Sequence, residues 1–285
     1  MKAGWIGLGA MGAPMAGHLH AAGLLAAVWN RDAARARSFA ESRAGTAVTG
    51  TPAELARRVD VVLVCVSADG DLKQVIEALR PGLAPGMVVV DHSTVAPATA
   101  RELAAGLGEV GVGFIDAPVT GGVEGAVSGR LMVMAGGDAA VFDRLQPLFS
   151  AYARLARLLG PAGSGQAAKA VNQLMVAGIA EAVCEALALM ERLGLPREEM
   201  LELLGGGAAG NWFLKKRGET MLADSFASGF DPRLLFKDLK ICEQLCHEAD
   251  FDSGVIRQAL ADYRRLIDSG RAGGDISSLI RIKRG

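Results

Sequence analysis

From residue 3 to about residue 160, short apolar runs alternate with stretches of helical composition. The runs are Ala3–Gly7, Ala26–Asn30, Val61–Val66, Met87–Asp91, Val112–Asp116 and Leu131–Ala135. Val, Ile and Leu follow one another in them without regular polar alternation, the pattern of parallel strands covered on both faces. Segments such as Ala13–Ala22 and Ala96–Leu107 read as the helices between them. Pro52, Pro81, Pro85 and Pro97 fall at boundaries, where a missing N–H is tolerated. Repeated strand–helix units with short links predict an α/β fold built on a Rossmann-type doubly wound sheet.

The pattern changes near residue 160. Gly160-Pro161-Ala162-Gly163-Ser164-Gly165 is rich in breakers, and a long helix-forming stretch follows from Gln166 to Leu193. Beyond it lie only helical patterns, interrupted at Gly194-Leu195-Pro196, at Gly205–Gly210 and at Gly229–Pro232. The expected organisation is an α/β domain over residues 1–161, a connecting helix over 162–193 and an all-α domain over 194–285.

Composition narrows the function classes. A net charge of −1 gives no general pull toward nucleic acid or an anionic membrane. The terminal basic residues Arg281, Lys283 and Arg284 read as a solvated tail. The longest apolar stretch, Ala170–Met190, contains Asn172, Gln173, Glu181 and Glu185. Each carboxylate would cost about 3 kcal/mol at a bilayer centre, so a helix buried in protein is expected. The first run begins without a signal-peptide pattern. Cys65, Cys184, Cys242 and Cys246 form no CxxC pair and no disulfide spacing, which predicts reduced thiols in a cytoplasmic protein. Cys242, Cys246 and His247 lack the further ligands a zinc site needs, and no metal is expected.

The chemistry begins at Trp5-Ile6-Gly7-Leu8-Gly9-Ala10-Met11-Gly12, a GxGxxG that ends a strand and opens a helix. Gly7 suits the tight turn, Gly9 a close approach of backbone to a pyrophosphate, and Gly12 close helix–strand packing. The helix start adds unpaired N–H groups, with Leu8, Ala10 and Met11 completing the turn. This is the arrangement of a dinucleotide-binding site. The second strand ends Val28-Trp29-Asn30-Arg31-Asp32. An NAD site usually carries Asp or Glu there for the ribose 2′-OH. Asn30 replaces it and Arg31 follows, and a guanidinium suits a 2′-phosphate, so NADP is favoured over NAD. Asp32 also reads as the N-cap of the next helix.

Two later blocks complete the candidate site. Asp91-His92-Ser93-Thr94 closes the run Met87–Asp91, and Asp116-Ala117-Pro118-Val119-Thr120-Gly121-Gly122-Val123-Glu124-Gly125-Ala126 follows the next run. The two glycines after Thr120 can present backbone N–H groups to a carboxylate. Gly163-Ser164-Gly165-Gln166-Ala167-Ala168-Lys169-Ala170-Val171-Asn172-Gln173 opens the long helix and puts Lys169, Asn172 and Gln173 on one face. His92 and Glu124 read as neighbours of this chemistry rather than as acids. Gly205–Gly210 lacks a preceding strand and reads as a helix–helix link. Trp212 and Phe213, just after it, read as core.

The blocks GLGAMGAPMA, DAPVTGGVEGA and GSGQAAKAVNQ, in this order, resemble the β-hydroxyacid dehydrogenase family, which is related to 6-phosphogluconate dehydrogenase. The resemblance covers essentially the whole chain, including Phe236-Lys237-Asp238-Leu239. It implies that Lys169 is the catalytic residue, that Thr120, Gly121 and Gly122 hold the substrate carboxylate, and that Asn172 or Gln173 assists. It places Thr94 and Lys237 near the nicotinamide end or the cofactor amide, Val66 and Ser67 on the cofactor side, and Ser93 with the substrate. Two departures stand out. The position of Thr120 is more often serine, and Gln173 replaces a second asparagine common in hydroxyisobutyrate dehydrogenases. The Asn172-Gln173 pair is more similar to the tartronate semialdehyde reductases. The expected function is NADP-preferring interconversion of a short β-hydroxyacid and its semialdehyde or oxo acid, in a homodimer or homotetramer. The competing readings are an NAD-dependent hydroxyisobutyrate dehydrogenase, an imine reductase and a non-catalytic relative; the presence of Lys169 argues against the last two.

Overall fold

The computed structural model describes residues 1–226 and 229–285, and the chain divides into two units, Met1–Lys169 and Ala170–Gly285. The first unit is the α/β part. Its described strands are β1 (Ala3–Ile6), β2 (Leu25–Trp29), β3 (Ala47–Val48), β4 (Val61–Val64), β5 (Val88–Asp91), β6 (Gly113–Asp116), β7 (Val119–Thr120), β8 (Leu131–Gly137) and β9 (Ala153–Leu158). They form one sheet in the order β3-β2-β1-β4-β5-β6-β8-β7, with β9 added beside β8.

The first six strands of that order pair in parallel, as unalternating apolar runs require. Successive residues feed opposite cores. Val61, Leu63, Val88 and Val90 pack into one layer, while Val62, Val64 and Val89 pack into the other. Pro52 and Pro97 each begin a helix, at Pro52–Ala56 and Pro97–Gly108, where the first N–H has no intrahelical partner.

The run at 131–135 departs from the parallel expectation. β8 lies antiparallel to β6 and to β7, and β9 runs parallel to it. The segment from β6 to β8 holds only β7 and the short helix Gly122–Val127. It therefore makes a turn back across the sheet rather than a full crossover. β3 and β7 have two residues each and leave no periodic signal.

The second unit is helical. It comprises the greater part of Ser164–Arg192, then Arg197–Gly206, Trp212–Leu222, Pro232–Glu248, Gly254–Asp268 and a short terminal helix, Ile280–Arg284. Its core joins Cys184, Leu187, Met221, Leu235, Tyr263 and Leu279. Ser164–Arg192 is long and apolar enough to cross a membrane, yet half of its most apolar window is buried inside the protein. Gly205–Gly210 does link two helices. Phe213 joins the core, whereas Trp212 is exposed with the Arg217 guanidinium 5.5 Å from its ring centroid.

The terminal basic residues are not a solvated tail. Lys283 is buried against Glu181, Glu185 and Asp262, at 2.5, 2.9 and 2.7 Å. Burial alone would lower its affinity for a proton, but the three carboxylates outweigh that and raise it above the usual lysine range. Arg281 pairs with Asp224, and Arg284 with Glu191. The carboxylates are spread over distant segments, so the sequence run gives no sign of them.

Candidate active site

The glycine turn sits at the carboxyl end of β1. Gly7 has φ +94°, and a Cβ there would lie 2.1 Å from the Cys65 carbonyl oxygen. At Gly12 a Cβ would lie 2.0 Å from the Gly7 oxygen, which already accepts from Trp5 Nε1 at 2.9 Å. At Gly9 nothing lies within 4 Å of that position. Two glycines are thus required by the protein's own packing, and the third leaves open space beside the start of helix Gly12–Ala21. That open backbone at a helix start fits the diphosphate of a dinucleotide. Ala10 and Met11 lie on the accessible side, and Leu8 is buried.

Asn30 is tied to the turn. Its Oδ1 accepts from Leu8 N at 2.9 Å, and its Nδ2 donates to Asp32 O at 3.0 Å. Asp32 caps helix Ala33–Glu41 by accepting from Ala34 N, as its position suggested. Arg31 is exposed, and its guanidinium meets Asp71 at 3.0 Å.

After β4 and β5 the loops are bolted together. Val66 N donates to Ser93 Oγ at 2.9 Å, and Ser93 N donates to Asp91 Oδ1 at 2.9 Å. Ala96 N donates to Asp69 Oδ1 at 2.9 Å. Ser67 is exposed and Thr94 half-buried beside them. Gln166, 1% exposed, donates to Ser93 O at 2.8 Å and accepts from Val95 N at 3.2 Å. Asp116, at the end of β6, accepts from Gly163 N at 2.7 Å and Gln166 N at 2.9 Å. Its carboxylate therefore satisfies N–H groups at the start of the helix that carries Lys169. Gly165 allows this approach, because a Cβ there would fall 2.5 Å from Met134 O and 2.7 Å from Asp116 O.

Lys169 is 8% exposed and donates from Nζ to Val119 O at 2.9 Å. Val119 directly precedes Thr120, Gly121 and Gly122, whose glycines have φ +129° and +66°. That conformation is open to glycine and strained for other residues, and it turns the backbone into the short helix Gly122–Val127. The lysine and the carboxylate-binding segment expected from the sequence are therefore brought together.

In the second unit, Gln173 donates from Nε2 to Asp238 Oδ2 at 2.7 Å and accepts from Asn172 Nδ2 at 2.8 Å. Lys237 Nζ pairs with the other oxygen of Asp238 at 2.9 Å. Both ends of the Gln173 amide are engaged, which makes Asp238 the hub of Gln173 and Lys237.

Sequence reasoning missed Asp91, Asp116, Gln166 and Asp238 as organisers. For the first two a signal existed: a carboxylate closing an otherwise apolar strand must be satisfied or neutralised. Burial pushes the Asp91 carboxyl up to about 7, against a Ser93 hydrogen bond that lowers it. Burial pushes neighbouring His92 down to about 4, against its contact with the Ala117 carbonyl. His92 is held between Ala117 O and the Tyr152 hydroxyl at 2.6 and 2.8 Å and stacks on Trp5. It is a neutral core histidine.

These two groups link stability to pH with opposite signs. Native Asp91 holds its proton more tightly than an unfolded carboxyl at 3.8, so its contribution is full below pH 3.8 and is lost as pH rises through about 7. Native His92 holds its proton less tightly than the unfolded 6.5, so its contribution is full above pH 6.5 and is lost as pH falls through about 4. In their shared window the slopes oppose each other, each at most about 1.4 kcal/mol per pH unit. Asp91→Asn keeps an acceptor for Ser93 N and removes one slope. Its melting temperature should drop more steeply than the parent's on acidification from pH 6.5 to 4. Parallel curves for the two proteins in thermal melts would contradict this pairing.

Comparison with known proteins supplies the family. Residues 2–160 match the NAD binding domain of 6-phosphogluconate dehydrogenase, and residues 163–283 match the NAD-binding family of NADP-dependent 3-hydroxyisobutyrate dehydrogenase. The NAD-dependent L-serine dehydrogenase of Pseudomonas aeruginosa is 32% identical over 98% of this chain and 96% of its own. The 2-hydroxy-3-oxopropionate reductase of Escherichia coli is 34% identical over 86% of this chain and 84% of its own. The crystal structure of a 3-hydroxyisobutyrate dehydrogenase from Salmonella typhimurium has a TM-score of 0.89, at 28% identity, over 99% of both chains. The likeness runs through both units in sequence and in fold, and it places the chain in the β-hydroxyacid dehydrogenase family of the 6-phosphogluconate dehydrogenase superfamily, as an NAD(P)-binding oxidoreductase.

Proposed function

We propose that the protein is an NADP-preferring reductase that interconverts a short β-hydroxyacid and its semialdehyde or oxo acid. The observation that carries this reading is the buried Lys169 ammonium, fixed on Val119 O next to Thr120-Gly121-Gly122. The bound nicotinamide supplies the hydride in reduction and takes it back in oxidation. Negative charge then develops on the substrate carbonyl oxygen, and Lys169 gives it a proton; in the reverse direction it removes one. The N–H groups of Gly121 and Gly122, with the Thr120 hydroxyl and Ser93, hold the substrate carboxylate and turn binding into orientation. Gly7 to Gly12 hold the diphosphate, with Val66, Ser67, Thr94 and Lys237 along the rest of the cofactor. Of the two amides, Asn172 is the one that assists, because Gln173 is committed to Asp238.

A panel of short hydroxyacids and semialdehydes, assayed with both cofactors, tests the reading. The highest kcat/KM should belong to a semialdehyde with NADPH. No turnover of any carboxylate-bearing substrate, with NADPH binding intact, would overturn it.

The NADP preference rests on Asn30-Arg31. A guanidinium–phosphate contact contributes about 1.5–3 kcal/mol, so Arg31→Ala should weaken NADPH binding roughly ten- to a hundredfold. NADH, which lacks the 2′-phosphate, should be affected far less. Fluorescence titration of both cofactors measures this, and an equal loss for the two would remove Arg31 from 2′-phosphate recognition.

We also propose a cytoplasmic homodimer or homotetramer. Val171, Met175, Leu189 and Leu193 stand exposed on helix Ser164–Arg192 and its end, which supports burial by further copies. Sedimentation that shows only monomer at micromolar concentration would contradict it.

A further inference from the structure

The contact between Arg31 and Asp71 lies in a telling place. β2, β1 and β4 are adjacent and parallel, with β1 in the middle. Their carboxyl ends face the same way. Arg31 follows β2, Asp71 lies in the first turn of helix Asp69–Leu79 after β4, and the glycine turn leaves β1 between them. The 3.0 Å ion pair therefore spans the end of β1, on the side where the nucleotide half of a dinucleotide enters.

The other carboxylates nearby have structural duties. Asp32 caps helix Ala33–Glu41, and Asp69 accepts from Ala96 N. Asp71 instead meets the guanidinium of Arg31, whose side chain is 81% exposed. An exposed pair of this kind adds little to stability, and a helix start favours a carboxylate on its own account. Its consequence is for what else the guanidinium can bind.

We propose that Asp71 is a specificity-determining residue: its carboxylate competes with the cofactor's 2′-phosphate for the guanidinium of Arg31, and so holds the NADP preference below what Arg31 alone would give. This rests on the reading of Arg31 as the 2′-phosphate ligand. A 2′-phosphate carries about −1.5 to −2 charges near neutral pH and draws on the same guanidinium whose Nη1 donates to Asp71 Oδ1. NADP must draw the guanidinium from Asp71 or share it with that carboxylate. NAD need not, because a 2′-OH makes no claim on the guanidinium.

The experiment is a four-protein set: the parent, Asp71→Asn, Arg31→Ala and the double variant. Dissociation constants for NADPH and NADH are measured by fluorescence titration at low and moderate salt. In Asp71→Asn the NADPH-to-NADH affinity ratio should rise about two- to fivefold, the range set by measured exposed ion pairs. The gain should shrink as salt screens the pair. In the Arg31→Ala background the same Asp71 substitution should leave the ratio within experimental error. An unchanged or lowered ratio in Asp71→Asn overturns the proposal, and so does an equal gain with Arg31 absent, which would mean plain repulsion by the carboxylate. If Arg31→Ala costs NADPH no more than NADH, the reading of Arg31 itself has failed, a result distinct from either of the others.

Discussion

Lys169→Met should lower kcat by about 10²- to 10⁴-fold, the usual contribution of a positioned proton donor, while NADPH still binds. The side chain is 8% exposed and its Nζ is fixed at 2.9 Å from Val119 O. The Val119 contact fixes the ammonium beside Thr120-Gly121-Gly122. The helix that carries it is anchored by Asp116, whose two oxygens accept from Gly163 N and Gln166 N. Methionine matches the stem in length and apolar character, so the loss falls on the proton and not on packing. Lys169→Arg gives a second reading of the same role. It keeps the positive charge but cannot surrender a proton near neutral pH, so substrate binding should survive and turnover should not return. Single-turnover kinetics alongside cofactor titration separates the two steps. Retention of more than a tenth of the parent kcat in Lys169→Met would end the assignment.

Much of this arrangement was legible in the residues because local rules dictate it. The strands of the parallel half have two buried faces, so unbroken runs such as Val61–Val64 announce them. The glycine turn is a local device with a fixed spacing. Features set by distant partners were not legible. Lys283 looks like part of a basic tail until Glu181, Glu185 and Asp262 gather around it from two other helices. β9 reads Ala-Arg-Leu-Ala-Arg-Leu, a period of three that suggests neither strand nor helix, and only its pairing with β8 makes it a strand. Asp91 and Asp116 carried a partial signal, since each ends an apolar strand; Asp91 accepts from Ser93 N only two positions on, whereas Asp116 accepts from Gly163 N and Gln166 N, 47 and 50 positions away. Asp71 carried none, because its contact with Arg31 crosses a strand that separates them in space and 40 positions of sequence.

The same alanine substitution should act in two different ways along the glycine turn. At Gly7 the new Cβ would meet the Cys65 carbonyl at 2.1 Å, on a backbone whose φ of +94° already disfavours a side chain. At Gly12 it would meet the Gly7 oxygen at 2.0 Å. Both obstacles are backbone, so neither can swing aside: at Gly7 the end of β1 must part from the segment after β4, and at Gly12 the helix must part from the end of β1. Overpacking of this kind costs about 1–3 kcal/mol or more, which corresponds to melting-temperature losses of roughly 2–12 °C for a domain of this size. At Gly9 the added methyl meets no protein atom within 4 Å. Gly9→Ala should therefore melt with the parent and still bind NADPH at least about tenfold more weakly, because the methyl fills the space a diphosphate needs. Thermal melts and fluorescence titration of the three variants give two independent scales. Parent-like NADPH affinity in Gly9→Ala would show that the dinucleotide does not approach the backbone there. A parent-like melting temperature in Gly7→Ala would show that the ends of β1 and β4 are free to part, and in Gly12→Ala that β1 and the helix after it are, contrary to the packing that sets the turn.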